Sequence, residues 1–226
     1  MKYSKKYLKL SVALAGLLVS AQASALVIDI NTYLTGNPVT DDATVATLTL
    51  TQNGSNVDFT FVNSVNNLAG NIGDDAFISL LLFSYDGNPV LTSSSFGNFG
   101  GTQTVTSGDF GINPPGSDAG YNFFLDLDYP TASSSDRFTD GENTTWTVFG
   151  VTVTDFSVTV PGSGPDSLAM VHIQQVGAGP GGVGSLKFVG NGGGPPSQEL
   201  PEPGTLALLG LGLLGFGASR RYQKKK

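Results

Sequence analysis

Two short stretches hold the side chains with the clearest chemical potential. In FFLDLDYP, Asp126 and Asp128 alternate with Leu125 and Leu127. Residues two apart on a strand share one face at a spacing of about 7 Å. The two carboxylates could therefore act as acid and base on a glycosidic bond, or share a cation. FTDGEN adds Asp140 and Glu142, and GDDAF and YDGNP add Asp74, Asp75 and Asp86. Oxygen-only sets suit calcium, and Asp126, Asp128, Asp140 and Glu142 are the candidate metal ligands. None follows the D-x-D-x-D-G spacing of a calcium loop, and aspartate also forms turns and protects strand edges in its own right. No other cofactor is expected.

His172, the only histidine, lies in AMVHIQQV. Alternation puts Met170, His172 and Gln174 on one face and Val171 and Ile173 on the other. The chain has no cysteine, no G-x-S-x-G and no H-E-x-x-H, so neither thiol chemistry nor a nucleophile elbow is on offer. His172 reads as a hydrogen-bonded strand residue before it reads as a general base. The expectation is a protein that is not an enzyme.

Strands must position these residues. From Leu26 to about Asn191 the chain alternates apolar and polar residues, punctuated by Gly, Asn, Asp, Ser and Pro. The clearest unit is TVATLTLTQNGSNVDFTFVN. Val45, Leu48, Leu50, Val57, Phe59 and Phe61 face inward, with Thr47, Thr49, Thr51, Asp58 and Thr60 outward. Asn53-Gly54 between the two runs is a strong hairpin signal. Further strands are expected at Leu26–Ile30, Ala76–Ser84, Thr102–Thr106, Tyr121–Leu127, Thr144–Val151, Asp155–Val160, Ala169–Val176 and Ser185–Val189. FISLLLF, Phe77–Phe83, reads as a central strand buried on both faces. No stretch has a capped 3.6-residue period. The spacing predicts an all-β, antiparallel two-layer β-sandwich, jelly-roll-like, with a core rich in phenylalanine.

The two ends differ in kind from this body. Lys2, Lys5, Lys6 and Lys9 precede an apolar run, and Ala21-Gln22-Ala23 and Ala23-Ser24-Ala25 offer small-residue cleavage patterns. That is the layout of a secretory signal peptide over 1–25, with cleavage after Ala25 preferred to Ala23 and the Sec export machinery as the implied partner. With the ends removed, Arg137 and Lys187 face 15 Asp and 2 Glu between Leu26 and Glu199, a formal charge of −15. Such a body is repelled by nucleic acid, which is excluded as a partner. Without cysteine an exported chain has no disulfides and relies on its core. Residues 26–190 form the expected sandwich, 191–200 a Gly/Pro-rich linker, and 201–226 a final segment.

With Leu200 before it, that final segment reads LPEPGTLALLGLGLLGFGASRRYQKKK. As a helix, Leu206–Ala218 would span about 20 Å against a hydrocarbon core of about 30 Å. Arg220 and Arg221 form a basic stop and bias the C-terminus to the cytoplasm. Pro201 and Pro203 hold Glu202 on a stiff, extended segment. Pro201-Glu202-Pro203, a short Gly/Leu-rich apolar run and an Arg-Arg pair together resemble the PEP-CTERM sorting domain of Gram-negative bacteria. The resemblance implies an exosortase that removes the tail near Pro201–Pro203. It also implies transient anchoring in the inner membrane by a short hydrophobic helix, then a place at the cell surface or outside the cell among extracellular polysaccharide and biofilm. The body resembles the β-rich ectodomains joined to such tails, in Arg137-Phe138, Gly141-Glu142, Trp146-Thr147-Val148 and Ala169–Gln174. A structural or adhesive role follows as the leading expectation. A carbohydrate-binding module, calcium-dependent or not, is the alternative, with Tyr121, Tyr129 and Trp146 as its aromatic platform. A secreted glycoside hydrolase built on Asp126 and Asp128 comes third.

Overall fold

A computed structural model describes residues 24–70, 72, 74–114, 117–177 and 182–192, all within one compact unit, Ala23–Ser197. Most of the signal peptide, the linker beyond residue 192, the Pro201–Pro203 motif, the Arg220-Arg221 stop and the expected C-terminal helix lie outside the described residues. Among those described, no helix is long and apolar enough to cross a membrane.

The body is an antiparallel β-sandwich. Its five-stranded sheet is built from β1 (Ala25–Ile30), β3 (Ala46–Asn53), β4 (Asn56–Asn63), β6 (Phe96–Gly101) and β10 (Asn143–Phe149), in the order β1-β3-β4-β10-β6. The seven-stranded sheet uses β2 (Thr32–Asn37), β5 (Phe77–Phe83), β7 (Phe110–Ile112), β8 (Leu125–Asp128), β9 (Phe138–Thr139), β11 (Ala169–Val176) and β12 (Gly184–Gly190). Its order is β2-β12-β11-β5-β8-β7, with β9 also paired to β5. The chain passes from β1 to β2 at Asn31, so one run contributes an edge to each sheet.

Alternation decides which side chains fill the space between the sheets. Leu48, Leu50, Val57, Phe59 and Phe61 are sealed from solvent, as their period of two predicts. Phe59 stacks on Trp146 with ring centroids 4.9 Å apart and meets Phe156 edge-on at 5.0 Å, the offset and T-shaped geometries that ring quadrupoles favour. The β3–β4 hairpin closes at the residues the sequence marks, in a specific form. Asn53 pairs with Asn56, and Gly54 takes φ +61° as the first of two central residues. Glycine at that position is the type II′ arrangement.

FISLLLF is central and covered on both faces. Its inner face joins the main core through Ile78, Leu81 and Phe83. Its outer face meets a second apolar cluster of Leu82, Tyr121, Phe123, Met170 and Val189, where the segment around Tyr121 lies over the sheet. Two expected strands are absent. Residues 102–106 lead into a 3₁₀ turn, and 153–156 form another, each closed by a backbone amide donating to an aspartate: Thr106 N–H to Asp109 Oδ2 at 2.7 Å, and Thr152 N–H to Asp155 Oδ2 at 2.8 Å. Side chain-to-backbone bonds of this kind compete with a ladder. Strands β2, β6, β7 and β9 lack the alternation that would announce them.

Candidate functional site

A cleft of about 530 Å³ opens where β9 and the turn that follows it meet the segment before β5 and the end of β11. Its walls carry Asn66, Asp74, Asp75, Ser134, Thr139 and Asp140, together with Arg137 and Gln175. Arg137 is the body's only arginine, and three contacts immobilise it. Its Nε donates to the Thr131 carbonyl at 3.0 Å, its Nη1 donates to Gln175 Oε1 at 2.5 Å, and its guanidinium carbon stands 4.4 Å above the Phe77 ring. A planar cation with five N–H donors is thereby held in one orientation, two of its donors used.

Gln175 reaches this position through a break in the ladder. Ala169, Val171 and Ile173 point into the core, and strict alternation would send Gln175 after them. Instead the register shifts between Gln174 and Val176, Gln175 takes φ +54°, and Val176 becomes the inward residue. Bulges re-aim side chains in this way, and a non-glycine residue at positive φ is uncommon. The signal was present in the sequence as Gln174-Gln175 followed by Val176, a polar doublet that slips the phase of an otherwise regular strand.

The acidic candidates do not come together as one centre. Asp140 and Glu142 flank Gly141, φ +77°, in the turn between β9 and β10. Glu142 Oε2 accepts the Thr139 amide at 2.6 Å and the Thr139 hydroxyl at 3.0 Å, while Asp140 Oδ1 accepts the Asn66 amide at 3.0 Å. Both carboxylates thus brace a turn, with Asp140 at the cleft wall. Asp126 and Asp128 share the outer face of β8, as their spacing predicts, and do not line the cleft. Burial pushes the Asp126 carboxyl up from the usual range; the Gly111 backbone opposes this in part, and Asp128 adds to it. Burial also raises Asp128, reinforced by Asp109. Gly111 lies opposite Asp126 on β7, and a methyl there would fall 1.9 Å from Asp126 Oδ1, so any larger residue would have to displace the carboxylate. Among the described residues, no three acidic or histidine side chains are grouped to hold a metal ion.

The aromatic platform is corrected by the structure. Tyr121 is 1 % exposed, Tyr129 4 % and Trp146 1 %. Trp146 faces the main core, where it meets Phe59, Phe83 and Phe110. Tyr129 stacks on Phe138. Tyr121 fills the second cluster, its hydroxyl donating to the Pro165 carbonyl at 2.8 Å. Large rings in a chain without disulfides serve first as core volume.

His172 stands half-buried on the outer face of β11, paired across the ladder with Lys187, which forms an ion pair with Asp118. Burial, and next the Lys187 charge, hold its pKa below the ordinary histidine value, with Asp118 acting in the opposite sense. It shares a cross-strand row with Asp128, since both pair with Leu80 from opposite sides of β5, and that strand separates them.

Residues 199–221 match the family model of the PEP-CTERM protein-sorting motif. The chain therefore carries the C-terminal signal of an exported exosortase substrate, sorted through a membrane-anchored tail. Neither the curated proteins nor the solved structures offer a match.

Proposed function

We propose that this exported, C-terminally sorted chain is a structural or adhesive protein of the cell surface or extracellular matrix, working by contact and not by catalysis. What supports the reading is the pairing of a sorting motif at residues 199–221 with a compact acidic body that has its own core. Export would run through the Sec machinery, and an exosortase would act at Pro201–Pro203. The body would then meet matrix polysaccharide through hydroxyl-bearing faces. On the five-stranded sheet, Thr49, Thr60 and Thr145 lie in one cross-strand row on the outer surface. Hydroxyls donate and accept at once, which suits contact with sugar hydroxyls. Fractionation tests this reading. The mature body should co-purify with the extracellular polysaccharide and become soluble when the polysaccharide is digested. Recovery only in the inner membrane, with Arg220–Lys226 still attached, refutes it.

A second reading, a carbohydrate-binding module, is favoured by Arg137. Its held guanidinium lines a cleft that also carries carboxylate, amide and hydroxyl groups. Three aspartates beside one arginine disfavour an anionic ligand and suit a neutral, hydroxyl-rich one. Titration of the mature protein with cellohexaose and mannohexaose, followed by the Arg137 Nε–H and Gln175 amide NMR signals, separates the two readings. Saturable shifts in wild type, lost in Arg137→Lys, support the module. Calcium dependence is tested in the same sample, and an unchanged melting temperature at millimolar Ca²⁺ excludes it.

A further inference from the structure

Among the described residues, the first ladder bond lies at a place that distinguishes the two candidate signal-cleavage points. β1 is an edge strand, paired only with β3 in its sheet. Its register runs Ala25 to Thr51, Leu26 to Leu50 and onward to Ile30 and Ala46. One further bond closes the ladder beyond Ala25: the Gln52 amide donates to the Ser24 carbonyl at 2.8 Å. Gln52 is a hub of this end of the sandwich. Its side-chain Nε2 donates to the carbonyls of Asn56 and Val151, and its Oε1 accepts the Val153 amide at 2.9 Å. Ser24 thus ties the first strand to the same residue that joins the β3–β4 hairpin to the segment after β10.

We infer that signal peptidase cuts after Ala23, so that the mature protein begins at Ser24 with β1 intact. Both cuts satisfy the small-x-small pattern, so the choice rests on what each leaves behind. A cut after Ala25 removes the Ser24 carbonyl and strips the half-buried Gln52 amide of its partner, a loss that buried donors rarely tolerate. It also turns the nitrogen of Leu26 into a charged ammonium. Leu26 is 3 % exposed and its side chain belongs to the core, so the new charge would form within the ladder it interrupts. A cut after Ala23 leaves the ammonium on Ser24, beyond the last strand residue.

The last described residues run along the same strand. Leu168 donates to the Gly190 carbonyl at 2.8 Å, and Asn31 donates to that of Val189 at 3.2 Å. A methyl at Gly192 would lie 2.9 Å from Leu168 Cδ1 and 3.2 Å from Leu26 Cδ1. The last described residues therefore run back beside β1, so the chain enters and leaves the sandwich at one end.

The test is N-terminal sequencing and intact mass of the protein exported and processed from the full-length precursor. Ser24 as the first residue of the major species is expected. Leu26 as the first residue, giving a mass lower by one serine and one alanine, overturns the inference. Two precursor variants sharpen the result, because each disables one pattern only. Ala25→Gln spoils the second pattern and should leave processing unchanged. Ala21→Phe spoils the first and should slow processing or move the cut to Leu26; efficient processing of Ala21→Phe to the wild-type mass would also overturn it. Hydrogen exchange gives an independent readout in the mature protein. The Gln52 amide should be protected with the rest of β3, and free exchange there contradicts a retained Ser24 carbonyl.

Discussion

Between Leu200 and Arg221 a proline–glutamate–proline triplet, an apolar run and two arginines follow one another without interruption. In the sandwich, the residues lining the cleft come from positions between 66 and 175, carried by strands that meet only after folding. The first region presents its chemistry as a string, and a partner enzyme can read it locally. The second has no local message: Arg137, Gln175 and Asp140 acquire a common neighbourhood through pairing and register. Changes in the tail should therefore alter processing and leave body stability untouched, and changes in the core should do the reverse.

The largest effect expected is in the tail. Replacing Glu202 with Gln together with Pro203→Ala should abolish tail removal, so intact mass still includes Arg220–Lys226. Denaturation of the body should shift by no more than about 0.5 kcal/mol. A destabilised body would show that the two regions are not independent. Next comes Phe59→Ala, which empties the centre of the aromatic cluster with Trp146, Phe83 and Phe156. It should cost about 3–5 kcal/mol in chemical denaturation, while any folded protein recovered is still processed. Gly111→Ala should cost about 1–3 kcal/mol, because a methyl there meets the Asp126 carboxylate. The paired change Gly111→Ala with Asp126→Ala should recover part of that loss.

The smallest effects are pH-dependent and opposite in sign. The carboxyl of Asp126 is raised by burial, so its contribution is fully present below the unfolded pKa and is lost as pH rises through the folded value. Asp126→Asn should therefore raise the melting temperature slightly at pH 7 and leave it unchanged near pH 3. His172 is depressed, chiefly by burial. Its contribution is present above the unfolded pKa and is lost as pH falls through the folded value. His172→Gln should flatten the decline of stability on the acid side of the ordinary histidine range. A melting-temperature series from pH 3 to pH 8 on both variants reads the two signs, and a shared direction would contradict this account of burial.

Much of the architecture was legible where a local rule and the fold agree. The TLTLTQNGSNVDFTF unit announced its own hairpin, and FISLLLF announced burial on both faces, because period and turn chemistry are short-range properties. Legibility failed where a long-range partner decided. Tyr121, Tyr129 and Trp146 carry a polar edge that would suit a sugar platform, yet each is covered by segments distant in sequence. Asp155 belongs to a run that reads as a strand until Thr152 captures its carboxylate in a 3₁₀ turn. Gln175 announced its bulge only through a doubled glutamine, and its bond to Arg137 spans 38 positions.

The amino-acid sequence by itself determined the address of this protein, its layered β character, its acidity and the composition of its core. Those properties depend on neighbouring residues, on counts, or on a period of two, and no partner from elsewhere in the chain can reverse them. Only the tertiary structure decided which aromatic rings are sealed, which arginine is immobilised, and which aspartates brace a turn or crowd a glycine. The reason is physical. Burial, ladder register and the electrostatic surroundings of a titrating group are set by what packs against a residue. In a sandwich whose ladders join strands far apart in the chain, the residue packed against another is seldom its neighbour in sequence.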